Sequence, residues 1–442
     1  MHALWGLDVN NYVTISAYAY AALQRTNLSV VEVPISDSDF IRSAYYGGRV
    51  TPRIASWHSE EFDRMHEAWY AAIERDDQDT QKQLWAQIKQ SQDYYLDLDV
   101  NSLYPWSMAQ NLPTGEHRYM TADELANPPW REKHFFAEVN YVPPSDLCEP
   151  VLPKRREDER LSWDLLPGNG IFSWPDLLVA INAGYQLHFV RGIIWDTSGT
   201  PWLPFVEKGV AAKQAAADKC GRDAAKGTLN SASGKLGERR KDDHHEIVRS
   251  KAELKHFQGT HHWNDFSPLS PESIIVTGTK PNPDAVKCER PWHHAALVTA
   301  LGRMRLYDIR DAVDPSRRDI SKVAAYQDTD SLFYHAKHLD KLGPYIGSEL
   351  GQLSNDLCKN GEPEQLIVGF EIIAPKNYRI ITVIEPGGRV PKDAIKRNDG
   401  TVCYITCKAI PSDLWTLEKA EAFFARSEEH TSELQSHSFI SY

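Results

Sequence analysis

The chain has 442 residues, of which 41% are hydrophobic, enough to bury more than one core. Its net charge of -12 argues against DNA binding at first sight, but whole-chain charge hides local basic stripes. No run of residues is apolar enough to span a membrane, and the N-terminus lacks the order of a signal peptide. We therefore expect a cytoplasmic protein without membrane contact.

The N-terminal part of the chain alternates between helical and extended patterns. Apolar residues between Asn11 and Gln24 recur at helical spacing, and residues 29–33 favour a short strand. The tetrapeptide Tyr45-Tyr46-Gly47-Gly48 has two glycines that allow the backbone to approach another chain closely, although an ordinary loop is the alternative. Residues 59–92 have the apolar spacing of two helices.

Residues 94–105 alternate between apolar and polar side chains, which predicts a strand that ends in carboxylates and stops at Pro105. Alternation places Asp97 and Asp99 on the same face of this strand. We interpret Asp97 as a solvated strand residue rather than a ligand.

The middle of the chain separates into three stretches. Residues 113–204 are rich in proline and tryptophan and carry no chemical motif, whereas residues 204–227 predict one helix. The polar, histidine-rich residues 237–289 favour a solvated loop, since the histidine spacing is poor for zinc. Basic residues gather around the predicted helix and form a local stripe: Lys208, Lys213, Lys219, Arg222, Lys226, Lys235, Arg239, Arg240 and Lys241.

A helix predicted over residues 292–312 leads into residues 324–334, in which two short apolar and aromatic runs flank a tight reversal. This pattern predicts a β-hairpin with Asp328 and Asp330 at its tip, projecting from the sheet without being buried. Two such carboxylates suit a divalent cation. The alternative is an acidic turn without a ligand, because aspartate tolerates turn geometry.

Three of these stretches resemble, in order, the three sequence motifs of the family B DNA polymerases. The first is Asp99-x-x-Ser102-Leu103-Tyr104-Pro105, the second Lys226-x-x-x-Asn230-Ser231-x-x-Gly234 and the third Tyr326-x-Asp328-Thr329-Asp330-Ser331. Lys376-Asn377-Tyr378 is similar to the Lys-x-Tyr of the family that contacts the primer strand. Tyr45-Tyr46-Gly47-Gly48 resembles the Tyr-x-Gly-Gly of the protein-primed branch, found in phages and linear plasmids. Three motifs in one order are far more specific than any one alone.

The resemblance implies an α+β right-hand polymerase fold with an antiparallel-sheet palm, helical fingers, two inserted subdomains and a partial thumb. It also implies a truncated chain that lacks most of the exonuclease domain. The expected domains are the end of the exonuclease domain (1–40), the first palm part (41–112), an insertion that contacts a terminal protein (113–203), the fingers (204–236), a second insertion (237–288), the second palm part (289–405), the start of the thumb (406–426) and a non-native tail (427–442).

The resemblance also implies roles for single residues. Asp99, Asp328 and Asp330 are the expected catalytic residues and ligands of two Mg²⁺ ions, with Mn²⁺ as an alternative. Tyr104 is the expected steric gate against ribonucleotides, and Ser233 stands where the family usually has tyrosine. The expected nucleotide-binding residues are Ser102, Leu103, Tyr104, Arg222, Lys226 and Asn230. The expected DNA-binding residues are Tyr45, Gly47, Gly48, Ser231, Gly234, Tyr326, Thr329, Lys376 and Tyr378.

The implied function is DNA-templated DNA synthesis from dNTPs on a primer-template, with protein-primed replication of a phage or linear plasmid genome. A metal-dependent nuclease built on the same acidic strand ends is one alternative, and it predicts no need for Lys226 or Asn230. A catalytically inactive DNA-binding polymerase fragment is the other.

Overall fold

The computed structural model describes residues 2–26, 33–158, 160–238, 243–279, 288–408, 410 and 414–424. The helices are α1 (His2–Trp5), α2 (Ile15–Thr26), α3 (Ile35–Ser43), α4 (Glu60–Glu74), α5 (Gln78–Ser91), α6 (Leu103–Met108), α7 (Ala122–Ala126), α8 (Trp174–Asn182), α9 (Leu203–Gln214), α10 (Lys219–Leu236), α11 (Lys251–Thr260), α12 (Trp292–Val313) and α13 (Leu339–Leu342). The strands are β1 (Val33–Pro34), β2 (Val50–Pro52), β3 (Ser56–His58), β4 (Tyr95–Val100), β5 (Leu112–Tyr119), β6 (His134–Val142), β7 (Lys154–Arg155), β8 (Leu161–Ser162), β9 (Gly168–Ser173), β10 (Gln186–Gly199), β11 (Asp243–Val248), β12 (His262–Ser270), β13 (Ser273–Thr279), β14 (Cys288–Glu289), β15 (Tyr326–Asp328), β16 (Ser331–His335), β17 (Leu353–Asn355), β18 (Gln365–Ala374), β19 (Asn377–Ile384), β20 (Ile395–Lys396) and β21 (Val402–Cys407).

The chain divides into two compact units. The first unit comprises residues 1–46, 102–142 and 167–302, and the second comprises residues 47–101, 143–166 and 303–442. Three sequence predictions fall outside the described residues: positions 29–32 of the short strand, the basic residues at 239–241 and the tail 427–442. Within the described part of the chain, no helix combines the length and apolarity that a membrane span requires.

The second unit is built on one 10-stranded sheet in which the paired strands run antiparallel. The strand order is β2-β15-β16-β4-β18-β19-β21-β20, with β17 beside β4 and β3 beside β18. A cluster of buried aromatic and aliphatic residues packs on it: Tyr95, Ala325, Tyr326, Phe333, Ile367, Phe370, Ile372 and Ile380. The predicted helices of residues 59–92 are α4 and α5, which contact each other. Helices combined with antiparallel sheets confirm the predicted α+β class.

The first unit contains two smaller antiparallel sheets. A four-stranded sheet, β5-β10-β6-β9, lies between residues 112 and 199, and a three-stranded sheet, β11-β13-β12, lies between residues 243 and 279. The prediction of a solvated loop is therefore wrong over residues 243–279, and residues 239–242 and 280–287 of the same prediction lie outside the described residues. Phe257 of α11 is fully buried against Val248 and Val276, and this apolar cluster stabilises the sheet.

The predicted strand over residues 94–105 ends earlier, at Val100. Ser102 has a left-handed backbone with φ 51°, and the chain then enters α6. Pro105 is the third residue of that helix and lies within the first turn. The backbone N–H groups there have no helical acceptor, so proline removes no hydrogen bond of the helix. The proline therefore lies inside the helix start and does not stop a strand.

The single helix predicted over residues 204–227 is two helices, α9 and α10. Helix α9 ends at Gln214. The Asp218 carboxylate then caps α10 by accepting the Gly221 N–H at 2.7 Å. Consequently, the stretch 226–234 lies in the middle of α10 and not at the end of a helix. The predicted helix over residues 292–312 is α12.

Buried neutral histidines are part of the first unit. The Trp174 indole N–H donates to His134 Nδ1 at 2.9 Å, and the Trp202 indole N–H donates to His294 Nδ1 at 3.0 Å. His294 Nε2 donates to the Pro113 carbonyl at 2.7 Å. Burial lowers the pKa of both imidazoles to about 4.

These histidines predict a loss of stability in acid. The pKa of each imidazole is lower in the folded than in the unfolded protein, so the unfolded state binds more protons once the pH falls through the unfolded value. The free energy of unfolding should therefore decline by roughly 2 kcal/mol per histidine between about pH 7.5 and pH 5. Urea unfolding at the two pH values measures this. His134→Asn keeps an acceptor for Trp174 and should reduce the pH dependence, whereas His188→Asn, at an exposed position, should not. Equal pH dependence in wild type and His134→Asn would contradict the assignment.

Candidate active site

One row of residues crosses five strands of the large sheet. Val50 pairs with Asp328, Asp328 with Ser331, Ser331 with Asp99, and Asp99 with Ser354. Directly paired residues project from the same face, so the carboxylates of Asp99 and Asp328 share one face, separated by the intervening β16, at roughly 10 Å between their backbones. The hairpin predicted for residues 324–334 is thus present as β15 and β16.

The turn between β15 and β16 is tight. Thr329 has φ 57°, a left-handed conformation that is uncommon for a β-branched residue. The Asp330 N–H donates to the Asp328 carbonyl at 2.6 Å, and the Asp330 carbonyl accepts the Val100 N–H at 2.8 Å. The turn is therefore tied directly to the end of β4, next to Asp99.

Asp330 is half-buried, not projecting freely as the hairpin pattern predicts. Burial, the charge of Asp99 and the charge of Asp328 raise the pKa of Asp330 to about 6. The shift reflects burial first and the neighbouring negative charges second. A cation close to the three aspartates would relieve that repulsion.

Two lysines form ion pairs with these carboxylates, and the sequence motifs predict neither ion pair. Lys359 Nζ contacts Asp99 Oδ2 at 2.6 Å and Asp356 Oδ1 at 2.7 Å. Burial alone would lower the pKa of Lys359, but its hydrogen bonds to Asp356 and Asp99 raise it above the usual value. Lys376 Nζ contacts both oxygens of Asp328, at 2.7 and 2.8 Å.

The prediction that Asp97 is solvated is wrong. Asp97 pairs with Phe333, and its Oδ1 atom is buried without a hydrogen-bond partner among the residues that the structure describes. Burial, followed by the charges of Asp356 and Asp99, raises its pKa well above the usual range. Asp97 is therefore a poorly solvated carboxyl group beside the row of Asp99.

Tyr326, Lys376 and Tyr378 form one hydrogen-bonded and packed group. The Tyr326 hydroxyl donates to Asp328 Oδ2 at 3.3 Å and accepts the Lys376 N–H at 2.9 Å. The Tyr326 and Tyr378 rings lie 5.0 Å apart. The Tyr326 side chain is fully buried, so it is not available to bind DNA directly, contrary to the sequence prediction. Lys376 is exposed.

The first unit carries the other predicted positions, on two helices that contact each other, α6 and α10. Lys219, Arg222, Lys226 and Asn230 lie on the exposed face of α10, as their spacing predicts. The buried face contains Ser233, whose hydroxyl donates to the Asn230 carbonyl at 3.1 Å.

The remaining motif positions of α10 and α6 differ in exposure. Ser231 is half-buried and Gly234 is exposed. In and before α6, Ser102 and Tyr104 are half-buried, whereas the Leu103 side chain is only 2% exposed. Leu103 is therefore able to reach a nucleotide only through its backbone.

The Tyr-x-Gly-Gly stretch divides between the two units. The Tyr45 ring packs edge-on against Trp292, with ring centroids 6.0 Å apart, in the first unit. Gly47 and Gly48 belong to the second unit, where Gly48 lies against Thr329 of the β15–β16 hairpin. Sequence reasoning predicted a DNA contact here and missed this internal contact.

The donor set fits hard divalent cations. Asp99, Asp328 and Asp330 offer oxygen donors only, the ligand type that such cations prefer. Among the residues described here, no group of three or more His, Cys, Asp or Glu side chains is arranged to hold an ion by itself.

Comparison with known proteins identifies the class. The family model of DNA polymerase type B, organellar and viral, matches residues 84–314, more than half of the chain. A protein of Agaricus bitorquis named "Probable DNA polymerase" is 24% identical over 279 residues, covering 58% of this chain and 34% of that protein. The chain therefore belongs to the type B DNA polymerases, which confirms the family expected from the three motifs.

Solved structures agree at the level of the fold. Phi29 DNA polymerase in complex with primer-template DNA and incoming nucleotide matches with a TM-score of 0.58 and 14% identity, over 94% of this chain and 64% of that chain. The same polymerase with single-stranded DNA matches with a TM-score of 0.55 and 13% identity, over 94% of this chain and 63% of that chain. The expected right-hand polymerase fold is thus confirmed. The chain spans about a third of the length of the Agaricus protein and less than two thirds of that of the Phi29 polymerase.

The charge balance at Asp99 predicts a cation-dependent stability. Lys359→Met leaves Asp99 and Asp356 without their shared counter-charge, which should cost about 1–2 kcal/mol of unfolding free energy for this partly exposed group. Because Mg²⁺ can replace the lost charge, it should stabilise this variant more than wild type in urea unfolding. Lys82→Met, at an exposed position of α5, serves as the control. An equal response to Mg²⁺ in all three proteins would contradict the proposed balance.

Proposed function

We propose that this chain is a DNA-templated DNA polymerase that adds dNTPs to a primer 3′-hydroxyl. The observation that carries the proposal is the row Asp328-Ser331-Asp99 on one sheet face, with Asp330 beside it, in a chain of the type B DNA polymerases. The substrates that we propose are dNTPs and a DNA primer-template.

Asp99 and Asp328, supported by Asp330, would hold two divalent cations, Mg²⁺ or Mn²⁺. Such ions lower the pKa of the attacking hydroxyl and neutralise the charge of the leaving pyrophosphate. The protein side of the chemistry is positional. The ladder of β15, β16 and β4 fixes the two carboxylates relative to each other before substrates bind, which reduces the ordering needed in the reaction.

Binding of the nucleotide is assigned to the first unit. The exposed guanidinium of Arg222 and the ammonium of Lys226 would pair with triphosphate oxygens, since charged donors make the strongest contacts with phosphate. Tyr104 would exclude ribonucleotides by contact of its ring with a 2′-hydroxyl. The exposed face that Lys226 shares with Asn230 supports this proposal, and a nuclease would have no use for such a face.

Primer extension tests the function. Wild type should extend a labelled DNA primer only when Mg²⁺ or Mn²⁺ is added. Asp99→Asn and Asp328→Asn should each lower the rate by about 1000-fold or more, because each removes a cation ligand, while DNA affinity measured by fluorescence anisotropy stays unchanged. Asp340→Asn, at an exposed position, is the matched control. Shortening of the primer instead of extension would favour a nuclease, and DNA binding without either reaction would favour an inactive fragment.

We further propose that initiation uses a hydroxyl of a terminal protein, and that the element of origin is a phage or a linear plasmid. The Tyr45–Gly48 stretch supports the protein-primed branch. The four-stranded sheet belongs to the insertion for which a terminal-protein contact is expected, and its exposed apolar residues Tyr119, Val142 and Val190, at 69%, 46% and 45% exposure, are the contacts that we propose on it. A partner hydroxyl can enter the same carboxylate site as a primer end, so one site suffices. The location that we propose is the host cytoplasm.

The exposed apolar residues of this sheet predict a separable defect. Replacing Tyr119, Val142 and Val190 by serine should lower the initial nucleotide transfer to the partner while extension of a DNA primer continues, since the contact surface is lost and the carboxylates are not changed. Ile320→Ser, also at an exposed apolar position, is the control. Equal loss of initiation and extension in a folded triple variant would count against this sheet as the docking surface.

A further inference from the structure

Gly48 lies against the turn that carries the catalytic aspartates. A Cβ atom added at Gly48 would be 2.6 Å from Thr329 Cγ2 and 3.1 Å from both Cα and Cβ of Thr329. Contacts under about 3 Å between carbon atoms do not occur without movement of one partner, since optimal separations are 3.5–4.0 Å. The neighbouring Gly47 differs, because a Cβ there would meet no atom of the described residues within 4 Å.

The backbone on both sides of Gly48 is held in place. Arg303 Nη1 donates to the Gly47 carbonyl at 2.9 Å. Arg49, only 2% exposed, donates from Nη1 to the Pro150 carbonyl at 2.8 Å and from Nε to Thr51 Oγ1 at 3.1 Å. The Gly48 segment is therefore fixed by buried hydrogen bonds, and the turn would have to move instead.

A displaced Thr329 would displace the site. The Thr329 N–H donates to the Arg49 carbonyl at 2.9 Å, which holds the turn against the Gly48 segment. Asp328 and Asp330 flank Thr329, and the Asp330 carbonyl accepts the Val100 N–H at 2.8 Å, adjacent to Asp99. Asp328 and Asp330 are thus one covalent step from Thr329, and Asp99 is three covalent or hydrogen-bonded steps from it.

We infer that Gly48 is a positioning residue, whose missing side chain lets the Asp328-Thr329-Asp330 turn approach β2 closely enough to align the carboxylates. The inference rests on the proposed polymerase function. It differs from a template clamp made by both glycines, because a clamp would need open space at both glycines for DNA. In the structure only Gly47 has that space.

A double-mutant cycle on the full chain tests the role. Gly48→Ala should lower kcat of primer extension by about 100-fold, the cost of a displacement near 1 Å, with the KM for DNA unchanged. Adding Thr329→Ser removes the Cγ2 atom that makes the closest contact and should restore part of kcat, so the two changes are not additive. Gly47→Ala is the matched comparison.

Hydrogen exchange provides a readout that does not depend on activity. In Gly48→Ala the amides of residues 328–331 should exchange faster than in wild type. The double variant that combines Gly48→Ala with Thr329→Ser should regain protection. Gly47→Ala should match wild type in this segment. Circular dichroism of all variants excludes global unfolding as the cause.

The outcomes separate the two hypotheses. If wild type extends no primer, the polymerase proposal fails, and hydrogen exchange still decides on Gly48. Unchanged exchange in Gly48→Ala would overturn the inference. A KM for DNA that rises to a similar extent in both glycine variants, without rescue by Thr329→Ser, would also overturn it and would favour a template clamp. Faster exchange with rescue by Thr329→Ser supports it.

Discussion

The ladder that joins β15, β16 and β4 is the constraint on which the rest of the second unit depends. It places Asp328 and Asp99 in one row on one face of the sheet. Like charges held this close repel each other, and neighbouring groups must offset the cost. Lys359 and Lys376 pair with the two carboxylates, whereas burial, followed by the charge of Asp99, raises the pKa of Asp330.

Buried aromatic residues on the same face of the sheet stabilise the strands that carry Asp328 and Asp99. Two residues along the strands from the carboxylates, Tyr326 pairs with Phe333 and Phe333 pairs with Asp97. Tyr326 and Phe333 are fully buried in the aromatic cluster of the second unit, and burial of such rings contributes a large share of the stability of a sheet. The polar row therefore borders a packed face of the sheet.

Local patterns in the sequence predicted the parts of the site that local patterns determine. Alternation and turn chemistry located β4 and the hairpin of Asp328, and helical spacing located the exposed face of Lys226. The salt bridge of Lys359 with Asp99 joins residues 260 positions apart, so no periodicity predicts it. The sheet of residues 243–279 escaped prediction because β12 is exposed along its whole length and has no apolar alternation. The contact between Gly48 and Thr329 depends on the pairing of β2 with β15, which likewise joins distant parts of the chain.

Asp97 lies close to the other carboxylates at this edge of the sheet, and its protonation state affects their mutual repulsion. It lies in the row of Tyr326 and Phe333, where an apolar residue would complete the aromatic cluster, and its raised pKa favours the neutral, protonated form. A neutral Asp97 adds no charge to the pair of Asp99 and Asp356, which share Lys359 as their counter-ion. An ionised Asp97 would leave Lys359 to balance three carboxylates in a poorly solvated place, a far more costly arrangement. The direction of this shift is the one expected for a carboxyl group that lies close to other carboxylates and next to buried aromatic rings.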